Sequence, residues 1–151
     1  MEKVESFELD HRIVKAPYIR KAKTLDGSLG DKVTKFDLRF TQPNKEAIPT
    51  ASIHGLEHLL AGLLREELDG IIDLSPMGCR TGFYLIVWGD REPAEVKPAL
   101  EAALKKVLVA DEIPARNEFQ CGNYKDLSLF GAKEYAKKVL ENGFSLNVFG
   151  E

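Results

Sequence analysis

Histidine, cysteine and tryptophan are scarce in this chain: three, two and one among 151 residues. Two cysteines are too few for a disulfide framework. In a reducing compartment they serve better as ligands, catalysts or core fillers. No apolar run is long enough to span a bilayer. The start, Met1-Glu2-Lys3-Val4-Glu5, lacks the apolar stretch of a secretion signal. These absences predict a cytoplasmic protein with no membrane partner. There is no basic block, and the net charge is only -3. Nucleic acid is therefore not an expected partner. No repeat, low-complexity tract or Pro/Gly/Ser-rich linker divides the chain, so residues 1–151 are expected to form a single domain.

The apolar residues are arranged in two periods. In residues 33–40, Phe36, Leu38 and Phe40 alternate with Lys35, Asp37 and Arg39. That pattern predicts a strand with one buried face, and makes Arg39 a solvated charge. Ala16–Thr24 also reads as extended. The turn-rich Asp26–Asp31 between the two runs predicts a hairpin. Residues 50–69, after Pro49, carry helical spacing. Ile71–Ser75 and Phe83–Trp88 are β-rich runs. Residues 93–110 predict a second long helix through Val96, Leu100, Ala103, Leu104, Val107 and Leu108. A loop near 114–125 leads to a third helix, with Ser128 as N-cap and Gly143 as stop. Strands joined by short turns, then helices, predict an α+β fold with a mainly antiparallel sheet packed against helices.

Two of the three histidines lie in His54-Gly55-Leu56-Glu57-His58. On a helix, positions i, i+3 and i+4 share a face. Leu56, Leu59, Leu60, Leu63 and Leu64 fall on the opposite side, so the histidines point away from the core. Ala51, Gly55 and Gly62 beside them would let another backbone or a substrate approach closely. Two imidazoles at this spacing can grip one metal ion, with Glu57 as general acid or base. A third ligand is needed, and Cys79 or Cys121 can supply it. Were both to bind, the centre would be a closed structural zinc module. Were only one to bind, a position would stay open for water or substrate, and the other thiol could do chemistry. Spacing leaves this open. Arg65, on the same face about 10 Å further along the axis, would suit a substrate carboxylate or serve as a cation at the helix C-terminus.

A resemblance narrows these alternatives. Ser6-Phe7-Glu8-Leu9-Asp10-His11, Ala16-Pro17-Tyr18, Lys35–Phe40, Gln42-Pro43-Asn44, the histidine helix, Asp73–Gly82 and Ile113–Glu118 leading to Gln120-Cys121-Gly122 together resemble the LuxS family, the S-ribosylhomocysteine lyases. The family usually has threonine where this chain has Gly55. The resemblance implies an α/β sandwich of LuxS/metallohydrolase type. It also implies a metal held by His54, His58 and Cys121 with water as fourth ligand, the ion being Fe(II) with Zn(II) as a substitute. It makes Cys79 and Glu57 the acid/base pair. It sets Ser6, His11 and Arg39 around the ribose and Asp73 near the homocysteine end. The family is a homodimer with sites at the interface, where the N-terminal segment of one subunit reaches the other's metal. The implied reaction cleaves the thioether of S-ribosylhomocysteine to homocysteine and 4,5-dihydroxy-2,3-pentanedione, a quorum-sensing precursor. Two rivals remain. His-x-x-Glu-His is also a metalloprotease signature, so a His/His/Cys metallohydrolase acting on a peptide or formyl-peptide is one. The structural zinc module is the other.

Overall fold

The computed structural model describes residues 1–150. A first hairpin joins β1 (Tyr18–Asp26) to β2 (Lys32–Arg39). Its turn closes through the Gly27 amide on the Asp31 carbonyl, with Gly30 at φ 89°. A second hairpin joins β3 (Ile71–Pro76) to β4 (Gly82–Trp88). β2 pairs with β4, giving one antiparallel sheet in the order β1-β2-β4-β3. A short α1 (Glu5–Glu8), for which the sequence carried no periodic signal, precedes the sheet. The helices α2 (Thr50–Glu67), α3 (Pro93–Leu108) and α4 (Leu129–Asn142) match the three expected helices within two residues. Ser128 does cap α4, its Oγ accepting from the Gly131 amide at 2.9 Å. Gly143 ends that helix at φ 73°. The fold is α+β, as the element order implied. Among the described residues no helix is long and apolar enough to cross a membrane.

The core lies between one sheet face and the three long helices. Ile19, Phe36, Leu38, Phe83, Leu85 and Val87 meet Leu56, Leu60 and Leu64 of α2, Leu100 and Leu104 of α3, and Ala132 and Ala136 of α4. Each fully buried large side chain contributes about 1.5–3 kcal/mol. Burying the leucine side of α2 forces its other side, with the histidines, toward the surface.

The opposite sheet face corrects one expectation. Asp37 and Arg39 are fully buried rather than solvated. The period-2 pattern sorts side chains between faces, but says nothing about whether the second face is covered. Here the chain around His11 and Pro43–Ala47 closes over one end of it, and Lys35 ties down Glu5 of α1. Small residues on α2 also divide. A Cβ at Gly55 would stand 2.8 Å from the Ser128 carbonyl oxygen, so the start of α4 does approach closely there. Nothing lies within 4 Å of such an atom at Gly62, so no close approach occurs there.

Candidate metal centre

α2 projects His54 and His58 from successive turns, their ring centroids 4.7 Å apart at 84°. Each ring is held by a backbone carbonyl: Nδ1 of His54 lies 2.8 Å from the Asp126 oxygen, and Nδ1 of His58 lies 2.8 Å from the Pro114 oxygen. A carbonyl only accepts, so each Nδ1 carries the proton. That leaves both Nε2 lone pairs free to bind a metal, the usual arrangement for a ligating histidine. The Sγ of Cys121 lies 3.5 Å from Nε2 of His54 and accepts from the Asn123 amide at 3.4 Å.

The loop between α3 and α4 supplies both carbonyls and the thiol, and it is built to be firm. Asn117 Oδ1 accepts from the amides of Phe119 and Gln120, and Cys121 donates its amide to the Asn117 carbonyl. Arg116 donates to the Leu127 carbonyl. Ala115, beside Pro114, sits at φ 57°.

One donor atom from each of His54, His58 and Cys121 lies within 4.8 Å of the others. An ion bound tetrahedrally at about 2.0–2.3 Å needs donors roughly 3.3–3.7 Å apart. The three residues fit a divalent metal of the zinc or ferrous type, with little movement and one position left for an outside oxygen. Among the described residues no other group of three potential ligands gathers this way. Cys79 lies outside the cluster, so no four-ligand centre closes within one protomer.

The remaining residues of interest fall into two clefts. One, of about 320 Å³, adjoins the metal ligands and is lined by Glu57, His58, Arg65 and Asp73. Arg65 also donates to the Ala61 carbonyl of its own helix at 2.7 Å. The other, of about 400 Å³, is lined by His11, Arg39, Cys79 and Thr81. Cys79 is exposed on the turn between β3 and β4. Ser6, on α1, lines neither cleft. Cys79 and Glu57, the expected acid/base pair, are thus not gathered into one cleft of a protomer.

Sequence reasoning passed over the polar cluster under the second cleft. Asp37 accepts Nε and Nη2 of Arg39 at 3.0 and 2.8 Å, the Tyr18 hydroxyl at 3.1 Å and Arg20 Nε at 3.2 Å. Burial opposes the charge on Arg39. The bonds and charge of Asp37 outweigh it, and hold the guanidinium above its ordinary pKa. Burial, then the Asp37 charge, pushes the Tyr18 phenol well up, so it stays protonated and donates. Only the two complementary charges at i and i+2 hinted at this.

The sequence model of the family described as S-Ribosylhomocysteinase (LuxS) matches residues 4–148. The chain belongs to the LuxS family. It is 75% identical to the S-ribosylhomocysteine lyase of Clostridium botulinum (strain Alaska E43 / Type E3), over the full length of both chains. It is 70% identical to that of Clostridioides difficile (strain 630), again over both full lengths. It is 59% identical to that of Enterococcus faecalis (strain ATCC 700802 / V583), covering 99% of this chain and 97% of the relative.

Proposed function

We propose that this protein is an S-ribosylhomocysteine lyase, cleaving the substrate's thioether to homocysteine and 4,5-dihydroxy-2,3-pentanedione. The observation that carries the reading is the trio His54, His58 and Cys121 in a chain that matches the family over residues 4–148. The chemistry fits the parts. An unactivated thioether leaves only when its carbon is β to a carbonyl, so the sugar carbonyl must first migrate from the first carbon to the third. Each shift removes a proton from carbon and returns one to a neighbour, which calls for two proton carriers near neutral pH. A bound divalent ion supplies Lewis-acid polarisation of the sugar oxygens. Fe(II) is the proposed ion, with Zn(II) able to substitute.

Glu57, beside His58, and Cys79, exposed beside Arg39, are the proposed proton carriers. His11, Arg39 and Ser6 are assigned to the ribose. Asp73 and Arg65, together in the cleft beside His58, are assigned to the ammonium and carboxylate of the homocysteine end. The separation of Cys79 from Glu57 supports a homodimer whose sites lie at the interface, each using the metal and Glu57 of one copy with Cys79 and the N-terminal segment of the other. Exposed Phe7, Phe119 and Phe130 offer apolar surface for that contact. The unit is proposed to be one domain spanning residues 1–151, working in the cytoplasm.

The test is incubation of the Fe(II)-loaded protein with S-ribosylhomocysteine and assay of released thiol. Stoichiometric homocysteine is expected. Protein that is metallated and folded, yet releases none, would overturn the reading. Cys79→Ala is expected to stay folded and metallated and to lose turnover by about 10²-fold or more, as for loss of an acid/base group. Loss of metal and fold together in that variant would restore the structural zinc module.

A further inference from the structure

Resting on the lyase reading, we propose that Thr81 is a positioning residue for Cys79, its buried hydroxyl passing the charge of Arg39 on to the sulfur. Nε and Nη2 of Arg39 are both engaged by Asp37. Nη1 is directed to the Thr81 hydroxyl oxygen at 3.0 Å. A guanidinium has donors only, so that oxygen accepts. A hydroxyl has a single proton of its own. With its oxygen accepting from Arg39, that proton is free for Cys79 Sγ at 3.1 Å. Among the described residues the hydroxyl has no other hydrogen-bond partner. A thiolate sulfur can only accept, so in the form of Cys79 that takes a proton from carbon the Thr81 hydroxyl donates to it, and that bond favours the thiolate.

The hydroxyl is held in place. Thr81 is 4% exposed, and its carbonyl accepts the amides of Phe40 and Thr41 at 2.8 and 3.0 Å. Asp37 is pinned in turn by Tyr18 and Arg20. The chain Asp37–Arg39–Thr81–Cys79 thus runs from a rigid sheet position to a thiol that is otherwise exposed on a turn. Arg39 touches the sulfur's bonding partner, and its charge reaches the sulfur through one polarised O–H. In the lyase reaction Cys79 would accept a proton from sugar carbon, leaving the C–H electron pair on the carbon framework, and would return that proton to the neighbouring carbon.

The test compares Thr81→Val, which keeps the shape and loses the hydroxyl, with Thr81→Ser, which keeps the hydroxyl and loses a methyl. Both are made in the metallated full-length protein. Two quantities are read: kcat and KM for thiol release, and the rate at which iodoacetamide alkylates Cys79, followed by peptide mass so that Cys121 is scored separately. Thr81→Val is expected to lower kcat about ten- to a hundredfold at little-changed KM, the loss typical of one hydrogen bond to a charged group. Alkylation of Cys79 at about pH 6 should slow by a similar factor, because the thiolate is the reactive form. Thr81→Ser should restore both to within about threefold. Wild-type alkylation in Thr81→Val, or equal damage in Thr81→Ser, overturns the proposal. Thr81→Cys, which keeps nearly the volume of threonine and replaces the hydroxyl with a weak donor, replaces the valine variant if the latter melts early, with a loss of kcat expected in the same direction. If the wild type releases no homocysteine while Thr81→Val still slows alkylation, the lyase reading fails and the hydroxyl's hold on the sulfur stands.

Discussion

Two glycines in α2 have the same propensity cost and opposite consequences. Gly62 is exposed in mid-helix with open space around it. Gly62→Ala is expected to stabilise the protein by about 0.5–1 kcal/mol, through lost freedom of the unfolded chain. At Gly55 an added Cβ meets the Ser128 carbonyl oxygen at 2.8 Å, with Ile113 and Ala132 close behind. Gly55→Ala is therefore expected to destabilise, by up to about 2 kcal/mol after the helix gain is subtracted from the overpacking cost. Urea midpoints of the two variants check this, and a stabilised Gly55→Ala would refute the close approach. The sequence marked both glycines as special, because glycine in a helix is unfavourable. It could not tell them apart, because the start of α4, which decides the matter, lies some seventy residues away.

At the scale of elements, α1 and the loop between α3 and α4 are held by different ties. α1 is four residues long and buries none of them, so the Glu5–Lys35 ion pair at 2.8 Å is its main tether. The hydrogen bond from Lys35 comes first, then Glu5's own backbone bond, in holding the Glu5 carboxyl below its ordinary 4.5. A carboxyl lowered in the folded state adds stability above its unfolded value, and that stability is lost as pH falls through the folded value. As pH falls below 4.5, the Phe7 amide, bonded to the Val4 carbonyl, is expected to lose protection relative to its intrinsic exchange rate while the strands keep theirs. Equal protection at neutral and acid pH would show that the tether does not matter. The loop behaves differently. It contributes Cys121 and the two carbonyls that orient the histidines, so a bound ion cross-links it to α2. Removing the metal with a chelator is expected to lower Tm and to raise exchange across residues 113–127, with α2 and the sheet still protected. Uniform loss of protection would mean that the metal holds the whole fold together.

On the scale of the whole molecule, the two clefts make a prediction about subunits. If each site joins Glu57 of one copy to Cys79 of the other, neither Glu57→Ala nor Cys79→Ala homodimers should turn over. Mixed and allowed to exchange, half the dimers become heterodimers, and each has one intact site. About a quarter of wild-type activity should then return. No recovery after verified exchange would place both groups in the same protomer's site.

Legibility followed the range of the forces involved. Periodicity and turn chemistry are local, and they located all four strands and the three long helices. α1, too short to show a period, escaped. The metal histidines were legible because one helical turn places them together. Spacing left Cys79 and Cys121 interchangeable as third ligand, since a thiol in a loop carries no local mark of where that loop lies, and only the family resemblance singled out Cys121. Alternation sent Arg39 to the polar side of β2 and hence to solvent. It could not register that other parts of the chain close over that side. By itself, then, the sequence determined the four strands and three long helices, the histidine pair and the family. The tertiary structure showed that Cys121 does join the histidines, and it alone decided which charges are buried and which groups share a cleft, because each of these depends on contacts between segments far apart along the chain.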